Sequence, residues 1–489
     1  MNEHALPQIS HYEELQKNVL IKPEIDKLPA EFQRITEQLK NISGSWNPVE
    51  FVTPSSESIK REKGQFFAAF QNGERYNPSF DYTYAESLDA DPDLIRQQLL
   101  NLLQETRAIS VPAESDENTR QLTRIARVAL YNKIKDDLAS LDLLIGIRTK
   151  DEKRIGEATK RKYAPTDPVL NAIAQARYEG LTQPTQEETI SDVLLSPEQQ
   201  KLLTKESYSA EQIKAAFEWI LSQYGILKSE QTPQGFQVKI SSEVTAIDVR
   251  DKSTEPMTIF IPENRVVSGQ KLLELCYHEI EGHARQSMNG MRMLIGGGAL
   301  KVDDETLYEG LAKRLDEDFN LKYFGKKAGI PVPFYTIATQ QAESGASFSD
   351  IFLDQLDKQL HVLLQIPPNK EINWQDSATQ TVMSKGMEAA WRFTYRVMRG
   401  HTDMSNPESY AFGKDLAYLR GWLLDKSLGE LNKAYVNEAA IMQTDALALM
   451  GRVDLRPEDL AYPYTDITKR YCFEVLLPEI DSRTTAPTL

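Results

Sequence analysis

Phe236-Gln-Val-Lys-Ile240, Thr245-Ala-Ile-Asp-Val249 and Met257-Thr-Ile-Phe-Ile261 lead into Ser268-Gly-Gln-Lys-Leu-Leu-Glu-Leu-Cys276-Tyr-His278-Glu279-Ile-Glu-Gly282-His283. The first three runs are short, rich in β-branched residues and separated by polar ones. That pattern predicts a small antiparallel sheet. Ser268 then offers a side-chain oxygen to the first turn of a helix running from Gly269 to about Gln286. Strands followed at once by a helix set this patch apart from the rest of the chain.

Elsewhere the chain reads as helix. Leu122, Ile125, Ala129, Leu138, Leu141 and Ile145 recur at helical steps, as do Ile351, Phe352, Leu356, Leu360 and Leu363 and the stretch 374–398. Prolines at 48, 112, 165, 184 and 233 break the first half into segments. The expected fold is mostly α with a small antiparallel sheet, an α+β class. We expect a helical N-terminal region over 1–215, a catalytic region over 216–477 and a disordered tail over 478–489.

Composition narrows the function. Lys and Arg number 56 against 72 Asp and Glu, a formal charge of −16, so general phosphate binding, and with it nucleic acid, is not expected. The longest run without a polar residue is 293–300, too short for a membrane span. Cys276 and Cys472 are the only cysteines, which argues against a disulfide framework and a thiolate metal site. No basic segment followed by an apolar run opens the chain, and the expectation is a soluble cytoplasmic protein. One stretch, 148–162, holds seven cations against three acids. It reads either as a solvated helix junction or as a dock for an acidic partner.

Two of the six histidines stand five residues apart, in His278-Glu279-Ile280-Glu281-Gly282-His283. Metal-assisted hydrolysis needs two neutral imidazoles, a third ligand, an open position and a carboxylate that takes a proton from water. In an ideal α-helix a five-residue step turns the side chains about 140° apart, so the two rings could not share an ion. One extra residue in the turn removes most of that offset, which predicts a π-bulge or break between Ile280 and His283. Glu281 reads as a supporting or surface group, and Cys276 as a small core residue.

A third ligand would come from downstream, where 303–318 forms an acidic helix. Leu307, Leu311 and Leu315 mark its core side. Glu309 points away from them, beside Glu305, Ala312, Lys313 and Asp316. That face is either a solvent face with a Glu309–Lys313 pair or the wall of a metal cleft. For the cleft, Gly310 and Ala312 are small enough to admit a second helix. Periodicity leaves both open.

Taken together, His278-Glu-x-x-x-His283 and Glu309-Gly-Leu-Ala312 resemble the flavohemoglobin expression-modulating QEGLA-motif proteins, relatives of the microtubule-associated tyrosine carboxypeptidases. Tyr308 stands where the name-giving Gln would be. Arg399-Gly400 and Phe412-Gly-Lys414-Asp415 with Tyr418 are similar to a downstream pattern of that family, with Gly413 in place of Thr. The resemblance covers roughly residues 215–425. It implies a zincin-like metallopeptidase core with extensive helical additions. His278, His283 and Glu309 would hold Zn2+, with Glu279 as general base. The implied reaction removes a C-terminal residue, Tyr or another aromatic, from a protein or peptide with a free C-terminus.

Tyr395, His401 and Tyr418 are the candidates for an oxyanion donor, and each also reads as a structural residue. A cation for the substrate carboxylate is expected at Arg399, ahead of Arg396, Arg250 and Arg265, with an interior or helix-end ion pair as the alternative reading of Arg399. The stretch around Thr258 to Pro262 could accept a substrate strand, and His361 reads as a satisfied core residue. Endo- or aminopeptidase action on the same metal core is one alternative. A regulatory, non-catalytic peptide-binding role is another.

Overall fold

A computed structural model describes residues 28–43, 48–89, 91–110, 115, 117–183, 207–233, 235–244, 246–250, 256–284, 287, 306–324, 331–405 and 407–424. The expected tail 478–489 and residues 425–477 lie outside the described residues. So do the side chains of Leu122, Ile125, Leu307, Tyr308 and Leu311. The fold is mostly helical with one small three-stranded sheet, an α+β arrangement. Among the described residues no helix is long and apolar enough to cross a membrane.

The helices before residue 184 pack with those after residue 330. One core joins helices Ala30–Ser43, Pro92–Ala108, Glu117–Thr149 and Glu152–Lys162. Leu39, Leu99, Leu130, Leu144 and Ile155 are buried there, and Tyr410 and Phe412 enter from the far end of the sequence. A second core, around Phe66, Phe348, Phe352 and Trp391, joins helix Ser56–Gln71 to Phe348–Leu364 and Ser377–Val397. A third links Pro168–Leu181 to Phe334–Glu343 and to a helix over 416–424.

Part of the cationic stretch 148–162 is drawn into this packing, while Lys150, Lys153, Lys160 and Arg161 are exposed. Arg154 and Arg161 join Arg96 on the single carboxylate of Asp142. Lys162 is buried against Asp136 and Ser140 at 2.8 Å each, and Arg148 donates to the carbonyls of Ala85 and Leu88.

Residues 207–324 build a core of their own. Its wall is helix Ala210–Gln223, opened by a capping box between Ser209 and Gln212. Against it lie β1 (Gln237–Ser241), β2 (Asp248–Arg250) and β3 (Thr258–Pro262). The order is β1-β3-β2, with β1 parallel and β2 antiparallel to β3, so the sheet is mixed rather than antiparallel as expected. The reason lies in burial. Thr258, Ile259, Ile261 and Pro262 are buried, so β3 is covered on both faces and takes the centre. β1 and β2 are half-buried and take the edges, which forces the chain to cross over between them.

Ser268 caps the next helix as expected, accepting from the Lys271 amide. Tyr208 and Val267 exchange backbone hydrogen bonds of 2.7 and 3.1 Å, tying the starts of the two capped helices together. Phe217, Ile220, Phe236, Ile259, Leu272, Cys276, Ile280 and Phe319 fill the space between sheet and helices.

The central place of β3 makes a testable difference. Ile259→Ala should lower unfolding stability by about 2–5 kcal/mol. The exposed edge change Lys239→Ala should stay within about 0.5 kcal/mol. Urea midpoints measure both, and equal losses would contradict the strand order.

Candidate metal centre

The helix that Ser268 caps changes its winding. Gly269–Leu275 is α-helical, and Cys276–Ala284 continues as a π-helix. A π turn joins residue i to i+5, so residues five apart come onto one face. His278 and His283 do so: their rings meet edge-on at 4.8 Å between centroids, with Nε2 to Nε2 at 3.2 Å. The awkward spacing in the sequence is thus matched by the backbone.

Helix Thr306–Phe324 lies directly against the π-helix, and two small-residue seams set its distance. A Cβ on Gly282 would stand 3.0 Å from the Ala312 Cβ. A Cβ on Gly310 would fall 2.5 Å from the backbone of Gly421, on the helix over 416–424. Any side chain at 310 would push that helix away, and Trp422 next door donates to Glu317 at 2.8 Å. Held between these seams, Glu309 faces the imidazoles. Its Oε2 is 3.6 Å from His283 Nε2 and 4.0 Å from His278 Nε2.

Those three atoms suit a single divalent ion. A triangle with their separations has a circumradius of about 2.1 Å, the length of a zinc–nitrogen or zinc–oxygen bond. The set of two imidazoles and a carboxylate, with side-chain exposures of 16, 8 and 10 %, is also costly to bury without a partner. Glu279 adds a second carboxylate, with an oxygen within 4.8 Å of both imidazoles.

Around this cluster lies a charged support. His278 Nδ1 is 3.1 Å from Asp316 Oδ2, and Lys313 Nζ is 2.9 Å from the same oxygen. Burial disfavours charge on His278, but the adjacent Asp316 carboxylate outweighs it and lifts the imidazole to about 9. Burial pushes Glu279 up to about 7; His278 opposes the shift, while Asp316 and Asp248 add to it. Burial works against charge on Asp316 too, yet His278 and Lys313 together hold its carboxyl low. Cys276 is fully buried and its thiol is pushed far up, so it is an inert core residue. Glu281 is buried as well and accepts from the Tyr224 hydroxyl, which takes it off the surface.

The remaining sequence candidates gather in other clusters. Arg399 is buried over the Phe412 ring at 4.6 Å, with Nη2 3.5 Å from Asp415. Arg396 pairs with the same carboxylate and donates to the Tyr335 hydroxyl at 3.2 Å. Tyr418 stacks on Tyr335, and Tyr395 packs on Phe80 close to both arginines. His401 is enclosed, stacked on Tyr410 with Nδ1 3.2 Å from Glu152 and Nε2 3.0 Å from the Tyr410 carbonyl. His361 is satisfied by the Ile366 carbonyl at 3.0 Å. Tyr418 precedes Gly421 by three residues, and Gly421 abuts Gly310, so one helix connects the arginine cluster to the helix that carries Glu309.

Sequence reasoning placed Asp316 and Lys313 on the face of Glu309 but gave them no part in the site. The signal was there: 309, 313 and 316 follow one another at helical steps. Comparison with protein-family models and with curated proteins gives no match.

Metal uptake should release protons, because His278 is protonated below about pH 9 when no ion competes and must bind the ion neutral. Apparent Zn2+ affinity should therefore rise by roughly tenfold per pH unit on the approach to that value and level off above it. Calorimetry in buffers of different ionisation enthalpy measures the release. An affinity independent of pH from 6 to 9 would contradict the proton assignment.

Proposed function

We propose that this chain is a zinc-dependent peptidase of carboxypeptidase type. It would act on a protein or peptide with a free C-terminus, in the manner of the tyrosine carboxypeptidase relatives that its motifs resemble. The observation that carries the reading is the triangle of His278 Nε2, His283 Nε2 and Glu309 Oε2, with the Glu279 carboxylate beside it. His278, His283 and Glu309 would hold Zn2+, leaving a coordination position for water or substrate. When bound, zinc polarises a carbonyl and lowers the pKa of water toward about 7.

Glu279 then has the proton work. With its carboxyl near 7 it can take a proton from the attacking water and return it to the departing amine. Two guanidiniums sharing the one Asp415 carboxylate leave net positive charge for a substrate's terminal carboxylate. Of the two, Arg396 is the more open, 31 % exposed against 8 % for Arg399, so it takes the outer role. Tyr418 and Tyr335 stand beside it as hydroxyl donors, while His401, sealed by Tyr410 and Glu152, supports the fold. β3 pairs on both sides over 258–260. An extended substrate would therefore add to the outer edge of β2, which packs against the π-helix. We place this activity in the cytoplasm, in keeping with a buried free thiol and two cysteines in all.

Glu279→Gln should keep its metal and lose hydrolysis by at least about 10²–10⁴-fold. A peptide library with free C-termini, screened by mass, should show loss of single C-terminal residues, aromatic ones foremost. Amidating those C-termini should abolish cleavage. Undiminished turnover by Glu279→Gln would remove the assigned base, and cleavage of amidated peptides would point to endo- or aminopeptidase action.

A further inference from the structure

We infer that Asp316 is a positioning residue for the metal centre: it fixes His278 as the Nδ1–H tautomer and so turns the Nε2 lone pair toward the ion. The inference rests on the metal-centre reading above and names how that site is held. At 3.1 Å from Asp316 Oδ2, His278 Nδ1 faces a carboxylate oxygen that accepts hydrogen bonds. The ring proton belongs on Nδ1. A neutral imidazole then has one lone pair, on Nε2, the atom that faces His283 and Glu309. Without this partner the ring could equally carry its proton on Nε2, where it would block the ion.

Asp316 has few other reasons to be where it is. Its side chain is 3 % exposed, and burying a carboxylate is costly unless it is used. Oδ2 takes both His278 and Lys313, while Oδ1 has no hydrogen-bond partner among the described residues. The seven-residue step from Glu309 to Asp316 is two helical turns less about 20°. One rigid helix therefore presents a ligand to the ion and an orienting carboxylate to the opposite nitrogen of a neighbouring ligand. Lys313, between them on the same face, pins the oxygen that His278 needs. Carboxylates of this kind, acting behind a ligating histidine, change metal affinity by about 10–100-fold when removed.

The test compares full-length wild type with Asp316→Ala, Asp316→Asn and Lys313→Met, using Zn2+ against a chromophoric chelator and the visible spectrum of the Co2+ form. Asp316→Ala should weaken Zn2+ binding by about 10–100-fold and shift the Co2+ bands. Asp316→Asn keeps an acceptor and should lose less, and Lys313→Met should lose less than Asp316→Ala. Wild-type affinity and spectrum in a folded Asp316→Ala protein would overturn the inference. A wild-type protein that binds no Zn2+ would instead overturn the metal-centre reading. Where Asp316→Ala does not fold, long-range 15N–1H spectra of the zinc-loaded wild type decide the matter. The Nδ1–H form of His278 supports the assignment, and the Nε2–H form overturns it.

Discussion

Two imidazoles five residues apart can face one point only where the backbone winds wider than an α-helix, and the π-helix Cys276–Ala284 is that winding. Everything else about the site follows from it. A π turn is the poorer helix, and it survives here because it is enclosed. Ile280 and Cys276 are buried against the sheet and helix Ala210–Gln223, and Gly282 is pressed onto Ala312. Sheet, capped helix and acidic helix thus stabilise a conformation that the local sequence would adopt only weakly alone.

The acidic helix has two constraints to meet at once. Its distance from the π-helix is set by Gly282 against Ala312, and its distance from the helix over 416–424 by Gly310 against Gly421. Between those limits its rotation decides which side chains face the histidines, and Glu309 and Asp316 are on that side. The small residues are therefore as much part of the site as His278, His283 and Glu309, since they bring three helices close enough for short carboxylates to reach.

Much of the middle of the chain was legible. The Ser268 cap, the helix it opens and the change of winding before His283 follow from local chemistry, whereas the close approach at Gly310 and Ala312 belonged to one of two readings that periodicity left open. Sheet topology did not, because strand order depends on how two faces are covered, and no short window of sequence contains that. Which way Glu309 points was equally hidden: a Glu–Lys pair on solvent and a ligand beside a lysine share one periodicity. The cations of 148–162 and His401 each kept two readings open for a common reason. Their partners, Asp142, Asp136 and Glu152 among them, come from other turns or other helices, so exposure could not be read from composition.

The proposed metal site takes its three ligands from two helices. X-ray absorption at the zinc edge of the purified protein tests it most directly, with His278→Ala and Glu309→Ala as references. The expected result is one zinc per chain, with two imidazole nitrogens and one carboxylate oxygen at about 2.0–2.1 Å, and one such neighbour fewer in each variant. A protein without stoichiometric metal, or a zinc environment unchanged by both substitutions, would contradict it.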